Sequence, residues 1–218
     1  MTEAAIPAPH SSPSQDKTSG VAYRVLTAIS VTHLLNDMMQ SVLIALYPVL
    51  KGNFDLSFTQ IGFITLAFQF SASLLQPLVG HFTDKRPKPY SLPIGMGFTF
   101  CGLILLSQAW NFSSVVVAAA LIGMGSSVFH PESSRVARMA SAGQHGLAQS
   151  IFQVGGNLGS SIGPLLAALI IVPRGQGSVA WFSLGALLAI VILSQVSRWY
   201  ARHLTSSRGR ASLGKVET

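Results

Sequence analysis

Residues 58–80 read FTQIGFITLAFQFSASLLQPLVG, and residues 81–88, which follow, read HFTDKRPK. The first stretch carries no charged side chain. It is long enough to cross the ~30 Å hydrocarbon core of a bilayer as a helix, which takes about 20 apolar residues. The second stretch is a short basic loop. An apolar run followed by a basic loop indicates that lipid is the solvent of this chain, and it predicts an all-α membrane protein.

Five further apolar runs extend this pattern along the chain. The sequence is 49% hydrophobic and only 10% charged, whereas a soluble domain has about 25% charged residues. We therefore predict a six-helix transmembrane domain over residues 21–200, with a disordered cytoplasmic tail at 1–20. A basic cytoplasmic tail at 201–218 is expected to be disordered or bound to the membrane surface. The predicted spans are Arg24–Tyr47, Phe58–Gly80, Ser91–Ala109, Phe112–Ser134, Gly146–Val172 and Val179–Tyr200.

The net charge of +7 is explained by topology. If the N-terminus is cytoplasmic, all Lys and Arg residues except Lys51 and Arg174 fall at the inner ends of the spans. That asymmetry is what the positive-inside rule expects, so both termini are predicted to be cytoplasmic and nucleic-acid binding is not expected. The first twenty residues lack the hydrophobic core of a cleaved signal peptide, and the single cysteine, Cys101, allows neither an intrachain disulfide nor a cysteine metal cluster. No metal site is expected.

The first predicted span carries a polar stripe. His33, Asn36, Asp37 and Gln40 follow the i, i+3, i+4, i+7 spacing of one helical face. An ionised Asp37 near the middle of a span costs at least about 2.5–3.5 kcal/mol, so it needs a partner, a proton or water. Two interpretations remain open: a packed hydrogen-bond cluster between helices, or a cavity or proton site.

Three other predicted spans also place polar groups on one face, whereas the third and sixth are expected to face lipid nearly all round. Glu132 and Arg135 are three residues apart and can pair across one helical turn. The first, second, fourth and fifth helices are therefore expected to line something polar. The polar residues are Thr65, Gln69, Ser73 and Gln76 in the second span, Ser126, Ser127, His130, Glu132 and Arg135 in the fourth, and Gln149, Gln153, Asn157 and Ser160 in the fifth.

Glycine recurs at every fourth position of the fifth predicted span, at Gly155, Gly159 and Gly163, and Pro164 follows. Glycine lets a neighbouring backbone approach closely, and proline permits a bend. This pattern favours close helix packing, and it also fits a pliable helix at a moving interface.

Two of these motifs carry a family resemblance. The pattern Gly80-x3-Asp84-Lys85-x2-Lys88 resembles the loop 2–3 signature of the major facilitator superfamily, and Gly159-x3-Gly163-Pro164 resembles its fifth-helix antiporter motif. Four stretches also resemble the fosmidomycin-resistance exporters within that superfamily. They are SxxHLLNDMMQS, LLQPLVGHFTDK, GSSVFHPESSRVARMA and GLAQSIFQVGGNLGSSIGPLLAA.

The resemblance implies the N-terminal half of a 12-helix transporter, built as a 3+3 inverted repeat, in the inner membrane of a bacterium. Transporters of this fold bind substrate near the midplane between two six-helix halves. The missing C-terminal half, or a second copy of this chain, is therefore expected as a partner, together with the lipid bilayer. The implied activity is proton-coupled export of small anionic, fosmidomycin-like drugs, with no cofactor besides the proton gradient.

The resemblance also assigns expected roles. Asp37 would be the exchangeable proton carrier, with His33 tuning it, and Arg135 and His130 would offer positive charge to an anion. Glu132 would hold Arg135 when the site is empty. An inner gate is expected from Asp84 with Lys85 and Lys88, and the other pathway residues expected are Asn36, Gln40, Gln69, Gln153 and Asn157.

The sequence also leaves three alternatives to this function. A membrane hydrolase using Ser126 or Ser127 with a histidine is disfavoured, because the chain has neither Gly-x-Ser-x-Gly nor His-Glu-x-x-His, and we expect no enzyme activity. A non-transporting truncated half or scaffold is a second alternative. The third is a half-transporter that is active only as a parallel homodimer.

Overall fold

The computed structural model describes residues 20–213, with side chains as far as Ser206, and within that range the chain is helical and contains no strand. The all-α prediction is confirmed for these residues. The predicted N-terminal tail, 1–20, lies outside the described residues except for Gly20, and so does the end of the basic tail, residues 214–218.

The described part of the chain forms six consecutive helical rods, several of them built from more than one segment. π-helical turns at Phe70–Leu74 and Ala167–Ile171 join segments within two of the rods, and a 3-10 turn at Gln176–Trp181 leads into the last. The α-helical segments are α1 (Tyr23–Ala45), α2 (Tyr47–Phe54), α3 (Phe58–Gln69), α4 (Leu75–Lys85), α5 (Ser91–Ser107), α6 (Phe112–Ala140), α7 (His145–Leu166), α8 (Val172–Arg174) and α9 (Phe182–Leu213).

Local sequence signals set several of these boundaries. Ser57 begins α3 with a capping box, because its hydroxyl accepts from the Gln60 backbone N–H while the Gln60 side chain accepts from the Ser57 backbone. Asn111 begins α6 in the same way with Ser114. Asp55 ends α2 in the left-handed conformation, with φ of 48°. At these helix ends, the caps supply hydrogen-bond partners for backbone groups that have none within the helix.

Lengths and compositions agree with a membrane-spanning bundle. Within residues 20–213, four helices are long and apolar enough to cross a bilayer: Phe58–Lys85, Phe112–Ala140, His145–Arg174 and Gln176–Ser206. The pair α1 and α2, bent by 42°, makes a fifth if it counts as one span. The predicted third span is shorter, since α5 has 17 residues, which is at the lower end of the spanning range of about 17–25.

Glycine packs α7 closely against α1. A Cβ atom at Gly155 would lie 2.8 Å from the Ser30 carbonyl carbon, and one at Gly159 would lie 2.9 Å from that of Leu34. At Gly163 it would lie 2.7 Å from the Met38 carbonyl oxygen. The glycine repeat therefore serves close backbone approach, as its spacing predicted. Pro164 lies inside α7, which continues into the π-helical turn three residues later.

The expectation that the third and sixth spans face lipid nearly all round is wrong. α5 packs on α6 and α9 and buries Leu92, Met96 and Leu103 completely. α9 has a buried face of its own that includes Leu193 and Tyr200. Leucine is as compatible with lipid as with a protein interior, so an apolar helix in a membrane carries no polarity contrast that marks its buried face.

The last helix runs further than predicted. α9 continues to Leu213, so residues 201–213 are helical rather than disordered. A helix can also lie on a membrane surface, so the surface-bound alternative for this segment stays a prediction. The segment contains no proline, and extending an existing helix avoids the cost of nucleating a new one.

Candidate functional site

Two histidines and an aspartate from α1 and α6 meet inside the bundle. His33 Nε2 lies 3.3 Å from Asp37 Oδ2, and His130 Nε2 lies 3.4 Å from Asp37 Oδ1. The His33 side chain is 3% exposed, that of Asp37 19% and that of His130 27%. The cluster therefore extends from the protein interior to the surface of the bundle, and it ties α1 to α6. We call these three residues the His–Asp–His cluster.

Backbone carbonyls fix the orientation of both imidazoles. His33 Nδ1 lies 2.8 Å from the Phe152 carbonyl oxygen on α7, and His130 Nδ1 lies 3.0 Å from the carbonyl oxygen of Ser126. A carbonyl oxygen has no proton to donate, so Nδ1 of His33 carries a hydrogen. Nδ1 of His130 also lies 3.1 Å from the Ser126 hydroxyl, which can donate to it, so both tautomers of His130 fit this geometry. In a neutral imidazole with hydrogen on Nδ1, Nε2 presents a lone pair to the Asp37 carboxylate unless a proton or another cation lies between them.

Aromatic packing holds His33 in this position. Its ring stacks on Phe152 with 3.9 Å between centroids, and His130 meets it edge-on at 5.2 Å. A Cβ atom at Gly156 would lie 2.6 Å from His33 Nε2 and 2.9 Å from Asp37 Oδ2. Only glycine leaves room for the cluster at this position. The requirement for glycine was not predicted from the sequence, because Gly156 lies outside the repeat that places glycine at every fourth residue.

Two amides support the carboxylate from its own helix. Asn36 Nδ2 donates to Asp37 Oδ1 at 3.0 Å, and Gln40 Nε2 donates to the same oxygen at 3.2 Å. Asn36 is fully buried, and its Oδ1 atom has no hydrogen-bond partner among the described residues. The polar stripe predicted on the first span is therefore a connected network around Asp37.

A second charged cluster lies about 7.5 Å further along α6, five residues at about 1.5 Å each. Arg135 Nη1 donates to Glu132 Oε1 at 2.6 Å and to the Thr83 carbonyl oxygen at 2.8 Å, and Nη2 pairs with Asp84. The Glu132 side chain is fully buried, whereas that of Asp84 is 72% exposed. This cluster ties α6 to the end of α4.

The structure separates some residues that the sequence analysis grouped. Asp84 pairs with Arg135, and neither Lys85 nor Lys88 forms an ion pair with any residue in the described range. Arg135 and His130 belong to different clusters, so they do not converge on one anion in this conformation. Glu132 pairs with Arg135 across one helical turn, and its role of holding Arg135 when the site is empty stays a prediction.

The remaining pathway candidates lie on exposed faces. Gln69 ends α3 and is exposed, and Gln153 and Asn157 are exposed along α7 together with Ser160. None of them contacts the His–Asp–His cluster through a hydrogen bond. Gln149 donates to the Ser134 hydroxyl at 2.8 Å, which links α7 to α6. The bundle therefore presents a polar face that nothing in the described chain covers.

Apolar helices of membrane-spanning length, with ionisable groups held between them, define a polytopic membrane protein. Comparison with known proteins gives the family: the profile of the Major Facilitator Superfamily matches residues 29–215, and the chain belongs to that superfamily. It is 65% identical over 189 residues to the fosmidomycin resistance protein of Escherichia coli K12, covering 87% of this chain and 47% of that protein.

More distant relatives agree. An uncharacterised MFS-type transporter of Bacillus subtilis 168 is 44% identical over 202 residues, which cover 93% of this chain and 49% of that protein. The hexuronate transporter of Escherichia coli K12 is 22% identical over 174 residues, which cover 78% and 40%. The chain thus spans about half the length of the curated relatives it matches, and the match to the fosmidomycin resistance protein falls in its N-terminal half.

Proposed function

We propose that this chain forms one half of a transporter that exports small anionic, fosmidomycin-like molecules in exchange for protons. The observation that carries the proposal is an ionisable cluster held between α1 and α6 beside an uncovered polar face. The substrate class comes from the name of the 65% identical relative, and the driving ion comes from the resemblance in sequence.

The exposed polar face supports the view that a second half completes the site. Gln153, Asn157 and Ser160 are exposed on a helix of membrane-spanning length. Polar side chains in hydrocarbon are costly without partners, and in transmembrane helices they normally face a bundle interior or water. A C-terminal half packed on this face would turn it into one wall of a midplane cavity.

Asp37 is proposed as the proton carrier. Its carboxylate faces the Nε2 atoms of two histidines at 3.3 Å and 3.4 Å. A proton between the carboxylate and either imidazole forms a hydrogen bond between them. His130 is the most exposed of the three side chains, at 27%, and it is proposed to face the cavity.

Arg135, Asp84 and Glu132 are proposed as a gate at the cytoplasmic end. Arg135 connects α6 to the end of α4, and the partner it meets there, Asp84, is exposed to solvent. An ion pair between an exposed carboxylate and a cation is worth only about 0–1 kcal/mol. Asp84 can therefore release Arg135 at small cost, while the buried Glu132 retains it.

The test is substrate-induced proton movement in liposomes containing this chain together with a C-terminal half, with chelator present. We expect Asp37→Asn to abolish proton-coupled efflux while folding and membrane insertion persist, because the amide keeps the shape and cannot take up a proton. Asp55→Asn is the matched control, since Asp55 is exposed and caps α2 in a left-handed conformation that asparagine also adopts. Near-normal coupled flux in Asp37→Asn would make Asp37 structural and Glu132 the next candidate.

The homodimer is the second candidate, because parallel repeats share one orientation. Expression of this chain without a second half in a fosmidomycin-sensitive host separates the two. We expect no resistance, since one half supplies one wall of the site, whereas resistance from this chain alone would favour a parallel homodimer.

A further inference from the structure

We propose that His33, Asp37 and His130 form a binding site for a divalent transition metal ion, with Zn²⁺ the best fit. This inference goes beyond transport and does not depend on it. The three residues offer two imidazole nitrogens and a carboxylate oxygen, a donor set that Zn²⁺ uses in proteins.

The spacing of the donor atoms fits tetrahedral coordination. Zn²⁺ bonds to nitrogen and oxygen are about 2.0–2.1 Å long, so two ligand atoms of one tetrahedral ion lie about 3.3–3.4 Å apart. His33 Nε2 lies 3.3 Å from Asp37 Oδ2, and His130 Nε2 lies 3.4 Å from the other carboxylate oxygen, Oδ1, so each imidazole stands at this distance from one oxygen of the same carboxylate. One potential ligand atom from each of the three residues lies within 4.8 Å of the others, so small side-chain adjustments bring the two imidazoles together around one ion.

Both imidazoles are oriented as metal ligands are. A histidine bound to a metal through one nitrogen almost always donates its other N–H to a carbonyl, a carboxylate or water. Here the Nδ1 atoms of His33 and His130 lie 2.8 Å and 3.0 Å from backbone carbonyl oxygens. In the tautomers with hydrogen on Nδ1, both Nε2 lone pairs are directed toward Asp37, and the Ser126 hydroxyl, 3.1 Å from Nδ1 of His130, can accept from it as the carbonyl does. A cation between them removes the repulsion between these lone pairs and the carboxylate.

Groups around the three ligands complete the site. Asn36 and Gln40 donate hydrogen bonds to Asp37 Oδ1, which holds the carboxylate in place as outer partners of metal ligands do. Ca²⁺ and Mg²⁺ are disfavoured because they take oxygen ligands. Asp37 and His130 are partly exposed, so water or an anionic oxygen can reach the fourth coordination position.

The experiment is titration of the full 218-residue chain, purified in detergent with a histidine-free tag and stripped of metal, using Zn²⁺ by calorimetry and Co²⁺ by visible absorption. A Cys101→Ser background removes the exposed thiol as a competing ligand. We expect one saturable Zn²⁺ site and the Co²⁺ spectrum of a tetrahedral site with nitrogen and oxygen ligands.

Variants locate the site. Asp37→Asn and His130→Gln should each weaken Zn²⁺ binding by more than about 100-fold, beyond the roughly 10–100-fold typical of outer partners. His81→Gln is the matched control, because His81 is an exposed histidine on α4, and it should bind as the parent does. His130 is partly exposed, so its variant folds even if replacement of the buried His33 does not, and circular dichroism checks this for each protein.

Absence of saturable binding, or an affinity that neither Asp37→Asn nor His130→Gln changes, would overturn the proposal. Loss of binding in His81→Gln would do the same, because the ion would then lie elsewhere. These measurements involve no transport. Failure of the metal proposal and failure of the transport proposal can therefore be told apart. Zn²⁺ binding can be absent while proton-coupled efflux is present in chelator, and Zn²⁺ binding can be present while efflux is absent.

Discussion

Replacing Gly159 by alanine should loosen the interface between α1 and α7. The new Cβ atom would overlap the Leu34 carbonyl oxygen, and it would lie 2.9 Å from the Leu34 carbonyl carbon and 3.0 Å from its Cα atom, whereas non-bonded carbon atoms pack best at about 3.5–4.0 Å. All three atoms belong to helix backbone, which cannot rotate away as a side chain can. The two helices must therefore separate by at least roughly 0.5–1 Å, and a gap of that size forfeits a quarter to a half of each dispersion contact it opens.

The expected cost follows from overpacking, which destabilises by about 1–3 kcal/mol. Alanine also favours helix over glycine by about 1 kcal/mol, and a control must remove that gain. Gly62→Ala does so, because Gly62 lies within α3 and a Cβ atom there meets nothing within 4 Å. The propensity gain is common to both variants and cancels, so Gly159→Ala should be less stable than Gly62→Ala by about 1–3 kcal/mol.

Thermal unfolding in detergent micelles, followed by circular dichroism, measures this difference. At roughly 2–4 °C per kcal/mol for a chain of this length, the midpoint of Gly159→Ala should fall roughly 2–12 °C below that of Gly62→Ala. Equal midpoints for the two variants would refute the argument, because they would mean that α1 does not rest on the glycine face of α7 at the distance described.

Two further predictions concern the Arg135 cluster and the topology. Glu132→Gln should destabilise the chain by about 1.5–3 kcal/mol, the worth of a hydrogen bond to a charged group, whereas Asp84→Asn should cost less than about 1 kcal/mol because Asp84 is exposed. The reverse order of unfolding midpoints would contradict the burial of Glu132. Both termini should be cytoplasmic, and reversed reporter signals at any two fusion sites would disprove this orientation. Reporter fusions should read external after Asn53, Asn111 and Gly175, and internal after Lys88 and Gln144.

The helical rods could be predicted from the sequence because a membrane imposes one strong rule. Backbone polar groups in hydrocarbon must be satisfied within the segment, so every long apolar run becomes a helix. The rods that begin at Phe58 and Phe112 start where predicted. The buried faces of α5 and α9 could not be predicted in this way, because leucine packs equally well against lipid and protein.

The candidate site was predictable only in part. The helical spacing of His33, Asn36, Asp37 and Gln40 predicted that these groups share a face, and the structure joins them in one network. The partners from other helices were assigned less well. Asp84 was expected to act with Lys85 and Lys88, its neighbours in the chain, yet it pairs with Arg135, 51 residues away.

The sequence by itself determined that this protein is an all-helical membrane protein of the Major Facilitator Superfamily, since hydropathy, glycine spacing and local motifs are properties of the linear chain. Only the tertiary structure decided which ionisable groups meet. His130 joins His33 and Asp37, and Gly156 leaves room for them, because α1, α6 and α7 cross at that point. Contacts between helices depend on how the helices are rotated and how deep each lies relative to its neighbours. The packing of the whole bundle sets both quantities, so they cannot be predicted from the sequence of any single helix.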